Sequence, residues 1–113
     1  MYKKKTKEKQ SKERGISMKI LMLTWEYPPR VVGGIARVVY DLSRTLLKDG
    51  HDVTVVTYKE GDAPAFEDDR GVKVYRVENY MIHSNNFIDW IMQLNFNLIA
   101  KASEIIAKEG PFD

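Results

Sequence analysis

The apolar positions in the first half of the chain change their spacing twice. The continuous run KILMLT, at residues 19–24, is typical of a strand buried on both faces of a sheet. Helical spacing follows, and its apolar positions are Ile35, Val38, Val39, Leu42 and Leu46. Gly50 is well placed to end this helix, and the β-branched run VTVVTY at 53–58 predicts a second buried strand. The pattern therefore predicts a strand, a helix and a strand over residues 19–58.

The second half of the chain predicts one more strand and one more helix. VKVYRV, at residues 72–77, alternates like a half-exposed strand and follows a polar loop at 59–70. Because this loop is short for a helical crossover, the strand is either parallel through an irregular connection or antiparallel at the edge. A second helix is expected from about Asn86 to Lys108, ending at EGP. Its apolar positions at helical spacing are Phe87, Ile91, Leu94, Leu98, Ala102 and Ile105.

The predicted order βαββα is the opening half of a doubly wound α/β sheet. We therefore expect an incomplete Rossmann-like domain with a mostly parallel sheet. In such folds the fourth strand lies beside the first, and the chain reaches PFD, at residues 111–113, where that strand should begin. Without it the first strand keeps an unpaired edge. Residues 18–113 are thus expected to form part of an N-terminal domain of a larger protein.

Composition narrows the class of protein. An apolar fraction of 43% and a charged fraction of 30% are typical of a soluble globular chain. No apolar run reaches the roughly 18 residues of a membrane helix, and no signal peptide is recognisable. We expect a cytoplasmic protein with no integral membrane segment. The chain has no cysteine, which excludes disulfides, thiolate catalysis and zinc–cysteine sites.

The charge is concentrated at the N-terminus. Residues 1–17 carry seven basic and two acidic side chains, whereas the rest of the chain carries 11 basic and 14 acidic ones. Such a tail can steer a protein to nucleic acid or anionic lipid, or it can be a solvated extension. We expect a disordered basic tail at 1–17 and no nucleic-acid partner. Met18 is an alternative translation start.

The segment PPRVVGG, between the first strand and the first helix, is the strongest candidate for a site. It leaves the carboxyl end of a strand, where open α/β sheets bind ligands. Gly33 and Gly34 permit close approach of the backbone and positive φ, and the amides at the helix N-terminus suit a phosphate. The alternative is a tight turn that uses glycine for packing alone. Neither G-x-G-x-x-G nor a Walker pattern is present, so nicotinamide binding and ATP hydrolysis have no support.

The order of these motifs resembles that of a known protein family. A strand, WEYPP, GGI, an amphipathic helix and then DGHDVTVVT resemble the N-terminal domain of retaining GT-B glycosyltransferases. The likeness is greatest to glycogen and starch synthases and related nucleotide-sugar transferases, and it extends over residues 18–113. GVKVYRV and the terminal PFD also resemble that family.

The resemblance implies roles for several residues of the segment. Gly33 and Gly34 match the glycines that face the donor's diphosphate and sugar. Glu26 matches the acid of a Ser-Glu pair in which Trp25 replaces the serine. Glycogen synthases usually place a lysine two residues before the first glycine, but this chain has Val31 there.

Other candidates follow from side-chain chemistry beside that resemblance. The cation nearest to the glycines is Arg30, which we expect to help bind the diphosphate together with Gly33 and Gly34. Trp25 is either a sugar-stacking platform or a packing residue. Arg37 either reaches a phosphate or acceptor, or is an exposed helical arginine. Glu26, Trp25 and Arg37 are thus possible substrate contacts, and no catalytic residue is assigned.

The reaction implied is transfer of a hexosyl group with retention of configuration. The donor would be a nucleotide sugar, UDP-glucose or ADP-glucose, and the acceptor a glycan; no metal or other cofactor is expected. A second domain would provide most donor contacts, so these residues alone should be inactive. Two alternatives remain: a non-enzymatic phosphate- or nucleotide-binding module, and a nucleic-acid or membrane-surface binder acting through the tail.

Overall fold

A computed structural model describes residues 17–79 and 86–113. The predicted tail at 1–17 therefore lies, except for Ser17, outside the described residues. The elements in chain order are β1 (Lys19–Leu23), α1 (Ile35–Lys48), β2 (Asp52–Tyr58), β3 (Phe66–Asp69), β4 (Val72–Val77) and α2 (Phe87–Glu109). The four strands form one sheet in the order β1-β2-β4-β3.

The three predicted strands are confirmed, and the structure pairs them in parallel. β1 pairs with β2 from Lys19↔Asp52 to Leu23↔Val56, and β2 pairs with β4 from Thr54↔Lys73 to Tyr58↔Val77. β2 is central, and its residues from 53 to 57 are all buried. This explains why these five residues are all β-branched, since a strand covered on both faces has no solvent-facing side. The parallel alternative for the third predicted strand is therefore the correct one.

The expected polar loop at 59–70 is wrong in its second part, where β3 forms. β3 pairs antiparallel with β4 and occupies the edge of the sheet. Arg70 and Gly71 connect the two strands, with φ of 49° and 103°, as a two-residue hairpin turn requires. The Asp68 carboxylate accepts a hydrogen bond from the Gly71 amide at 2.7 Å. The hairpin thus makes the order βαβββα.

The helices cover opposite faces of the sheet. On the α1 side, the buried cluster consists of Tyr27, Val53, Val55, Val72 and Val74. On the α2 side, it consists of Val56, Leu94, Leu98 and Ile105. Successive residues of β2 therefore contribute to opposite clusters, because side chains alternate between the two faces of a strand. Neither helix in the described parts of the chain is long and apolar enough to cross a bilayer.

The packed face of α1 differs from the expected stripe. Val39 and Leu46 contact the core, but Ile35, Val38 and Leu42 remain 49%, 64% and 47% exposed. The fully buried positions are Ala36 and Ser43, seven residues apart on the same face. The helix therefore approaches the sheet through small side chains, so its contact face is rotated from the one its largest apolar residues indicate.

The free edge of β1 carries one contact with the last residues of the chain. The Asp113 amide donates to the Lys19 carbonyl, and the Lys19 amide donates to the Asp113 carboxylate, both at 2.7 Å. Residues after α2 thus pass alongside the first residue of β1. This is the side of the sheet on which the sequence predicts a further strand.

Candidate functional site

The segment from Thr24 to Gly34 joins the carboxyl end of β1 to the N-terminus of α1. We call it the β1–α1 loop. It stands beside the carboxyl end of the parallel neighbour β2, because the Thr24 amide still donates to the Val56 carbonyl at 3.0 Å. The predicted location at the carboxyl edge of the parallel strands is therefore correct.

The first half of the loop is anchored on the α1 side of the sheet. Tyr27 is 1% exposed, and its hydroxyl donates to the Asp69 carboxylate of β3 at 2.7 Å. Burial, together with this neighbouring carboxylate, raises the pKa of Tyr27 well above its ordinary value. The loop is thereby attached to the hairpin, which the sequence did not predict.

A buried arginine of β4 donates hydrogen bonds to the carbonyls of two prolines. Arg76 is 4% exposed and donates to the carbonyls of Pro28 at 2.9 Å and Pro64 at 3.1 Å. It also forms an ion pair with Glu67 at 2.9 Å. The Pro28–Pro29 peptide bond is cis. One side chain thus links the β1–α1 loop to the segment that precedes β3.

Arg30 is engaged within the protein. Its guanidinium forms an ion pair with Glu60 and lies over the rings of Tyr58 and Trp90, at 4.8 Å and 5.9 Å from their centroids. The two rings contact each other edge to face at 5.1 Å. Cation–π contacts and an ion pair together fix this side chain against β2 and α2. Diphosphate binding by Arg30 stays a prediction, and it would require exchange of the Glu60 partner.

Glu26 lies across the loop from the glycines. Its Oε1 atom accepts hydrogen bonds from the amides of Val32 at 3.3 Å and Gly33 at 3.1 Å. The hydrogen bond from the Gly33 amide is the main cause that lowers the pKa of Glu26, with Val32, Ala36 and Arg30 acting in the same direction and burial opposing them. An ionised carboxylate thus stands at the N-terminus of α1, where the helix dipole favours negative charge.

The two glycines are exposed and uncrowded. A Cβ on Gly34 would have no neighbour within 4 Å, and a Cβ on Gly33 would meet only the Glu26 Oε2 atom, at 4.0 Å. Gly34 has φ of −78°, and neither glycine is among the described residues with positive φ. The expected positive φ is therefore not what selects glycine here. The described fold itself has no steric need for glycine at Gly34.

The remaining candidates are Trp25 and Arg37. Trp25 is 40% exposed and turned toward α2, where its indole N–H donates to Asn95 Oδ1 at 2.9 Å. Arg37 is exposed on α1. Asn95, Glu60 and Arg76 were missed by sequence reasoning, because their partners are 30 to 70 residues distant and no local pattern marks them.

These features define the class of protein. The chain forms a mostly parallel α/β sheet with an exposed glycine pair between its first strand and first helix, at the edge where open α/β sheets bind ligands. The family described as the starch synthase catalytic domain matches residues 19–105. The chain therefore belongs to that family of glycosyltransferases.

Two relatives agree with this assignment. An uncharacterized glycosyltransferase of Methanocaldococcus jannaschii is 47% identical over 75 residues, which are 66% of this chain and 18% of the relative. A glycogen synthase of Mycobacterium tuberculosis is 55% identical over 40 residues, which are 35% of this chain and 10% of that protein. The chain thus spans less than a fifth of the length of these relatives. No solved structure matches it.

Proposed function

We propose that this chain is the N-terminal part of a retaining glycosyltransferase of the two-domain GT-B type. The reaction is transfer of a glucosyl group from UDP-glucose or ADP-glucose to a glycan. The family membership and the resemblance to glycogen synthases support this proposal. The described residues provide one wall of a donor site, and a second domain provides the other.

The β1–α1 loop is the proposed donor-binding element, with Gly33 and Gly34 facing the diphosphate. The observation that carries the proposal is the open space in front of Gly34. Glycine is usually kept where a backbone turns with positive φ or where something approaches closely. Neither positive φ nor a protein neighbour applies to Gly34, and a glycine at this N-cap leaves the end of the helix open to a ligand.

Catalysis by such a loop is electrostatic. Amides at a helix N-terminus stabilise the negative charge of a departing diphosphate, and they cost no reorganisation because the fold already holds them. Arg30 is a proposed second source of positive charge, provided that it exchanges Glu60 for the phosphate. Trp25 and Arg37 are proposed contacts to the sugar and the acceptor.

Gly34→Val tests the proposed donor site. The added side chain projects into open space at an ordinary φ, so the thermal midpoint should stay within a few degrees of wild type. Affinity for UDP-glucose or ADP-glucose should fall at least about tenfold, because the valine side chain occupies the space in which the diphosphate would approach the amide. Calorimetric titration measures the affinity.

Val38→Ala is the matched control, because Val38 is exposed on the same helix and 64% accessible. It should leave donor affinity unchanged. Equal affinity of Gly34→Val and wild type would reject the donor site at this loop. Loss of affinity in both variants would show that α1 rather than the glycine is responsible.

A further inference from the structure

The N-terminus of α1 has no capping side chain of its own. Its cap position is Gly34, no side-chain hydrogen bond caps it, and the first turn contains no acidic residue. Helices ordinarily satisfy their first amides with a serine, threonine, aspartate or asparagine at the cap. Here Glu26, eight residues before the cap, accepts instead from the two amides that precede the cap, those of Val32 and Gly33.

Glu26 is itself held by the end of β1. The Thr24 hydroxyl donates to the Glu26 carbonyl at 3.0 Å and accepts from the Glu26 amide at 3.3 Å. Thr24 is 7% exposed, and its amide is bonded to β2. Glu26 is therefore attached to the sheet through Thr24, and its carboxylate connects the sheet to the Gly33 amide.

We infer that Glu26 is a positioning residue: by holding the Val32 and Gly33 amides, it fixes the shape of the loop and determines which amides face a ligand. Among the described residues, the amides of Gly34 and Ile35 have no hydrogen-bond acceptor, whereas those of Val32 and Gly33 are occupied. The inference rests on the proposed donor site, which it restricts to Gly34 and Ile35.

This assignment differs from a direct substrate contact. A carboxylate repels a diphosphate, so direct contact between the two would be unfavourable. Oε1 is paired with two amides, which leaves Glu26 a geometric role in donor binding. Replacement by glutamine keeps a carbonyl oxygen of the same reach, whereas replacement by alanine removes the acceptor.

The experiment uses amide NMR on the 113-residue chain, with inorganic pyrophosphate as the probe. In Glu26→Ala, hydrogen exchange at Val32 and Gly33 should accelerate about tenfold or more, as loss of a charge-assisted hydrogen bond allows. Glu26→Gln should restore most of the protection. Glu104→Ala is the control, because Glu104 is an exposed glutamate of α2 that pairs with Lys101.

Pyrophosphate distinguishes the inference from the donor site on which it rests. In wild type and Glu26→Gln, its addition should shift the Gly34 and Ile35 amide signals more than those of Val32 and Gly33. In Glu26→Ala, that selectivity should be lost. Unchanged exchange at Val32 and Gly33 in Glu26→Ala would overturn the positioning role. Accelerated exchange without any pyrophosphate shift in the loop would support that role and reject the donor site.

Discussion

Two tyrosines on opposite faces of the sheet each donate a hydrogen bond to a carboxylate. Tyr27 donates to Asp69 on the α1 side, and Tyr75 donates to Glu109 on the α2 side, both at 2.7 Å. Both partners are far away in sequence, 42 and 34 residues respectively. Sequence patterns identify such tyrosines as packing residues, but they do not identify the partner of the hydroxyl, because it depends on how the elements meet.

At the residue scale, the tyrosines predict a loss of stability in alkali. Burial, with Glu109 beside it, raises the pKa of Tyr75 to about 12. In the unfolded chain the tyrosine hydroxyl ionises near pH 10. The contribution of Tyr75 to folding stability is therefore complete below about pH 10 and is lost as the pH rises through 12. Urea unfolding at pH 8, 10, 11 and 12 should show the decline.

Tyr75→Phe isolates the contribution of one hydroxyl. The variant should be less stable than wild type at pH 8, because Glu109 loses a donor. Its stability should also fall less steeply between pH 10 and 12, with the remaining slope due to Tyr27, whose pKa is raised as well. Parallel curves for the two proteins over that range would contradict the assignment.

At the element scale, the sequence predicted the elements whose apolar pattern is set by burial. β1, β2, β4 and α2 all follow from their own residues, because each contributes a face or stripe to the core. β3 does not, since Phe66 is its one apolar residue and the other three are acidic. It is a strand because it pairs with β4, where Phe66 contacts Tyr75 at 4.8 Å between ring centroids. The formation of β3 therefore depends on a tertiary contact that its own sequence does not show.

The β3–β4 turn predicts a large cost for one glycine substitution. Gly71 has φ of 103°, and an added Cβ would lie 2.6 Å from Leu47 Cδ2 of α1. Gly71→Ala should therefore destabilise the protein by about 2 kcal/mol or more, from backbone strain and from displacement of Leu47. Denaturant unfolding monitored by circular dichroism measures the change.

Gly61→Ala is the matched control for that change. Gly61 also has positive φ, 61°, but a Cβ there would have no neighbour within 4 Å. It should cost about 1 kcal/mol, the backbone term alone. Equal costs at the two positions would show that the contact between the turn and α1 contributes nothing.

At the scale of the whole molecule, the described domain has covered and uncovered surfaces. β2 is enclosed, whereas β1 has a free edge apart from its contact with Asp113. The outer face of α2 is apolar, with exposed Ile88, Met92, Phe96, Ile99 and Ile106. The candidate donor site is also open on one side, because among the described residues only the β1–α1 loop lines it. This arrangement supports the proposal that donor binding is completed by a second domain.

The corresponding prediction is that the 113-residue chain transfers no sugar by itself. One wall of a site can bind a phosphate, but it cannot orient the donor and acceptor for reaction, and positioning accounts for a large part of catalysis. The assay incubates the chain with radiolabelled UDP-glucose or ADP-glucose and glycogen. Incorporation of label above that of heat-treated chain would refute the two-domain proposal for catalysis.

The packing of Arg30 has a spectroscopic consequence. The chain contains two tryptophans, and both contact the β1–α1 loop: Trp25 is part of it, and Trp90 lies beneath the Arg30 guanidinium. Tryptophan fluorescence of this protein, excited where tyrosine does not absorb, therefore originates from two residues at the β1–α1 loop. A ligand that draws Arg30 away from Trp90, or that covers Trp25, changes the emission without any attached dye. The single-tryptophan variants Trp25→Phe and Trp90→Phe then show which tryptophan is responsible for the change in emission.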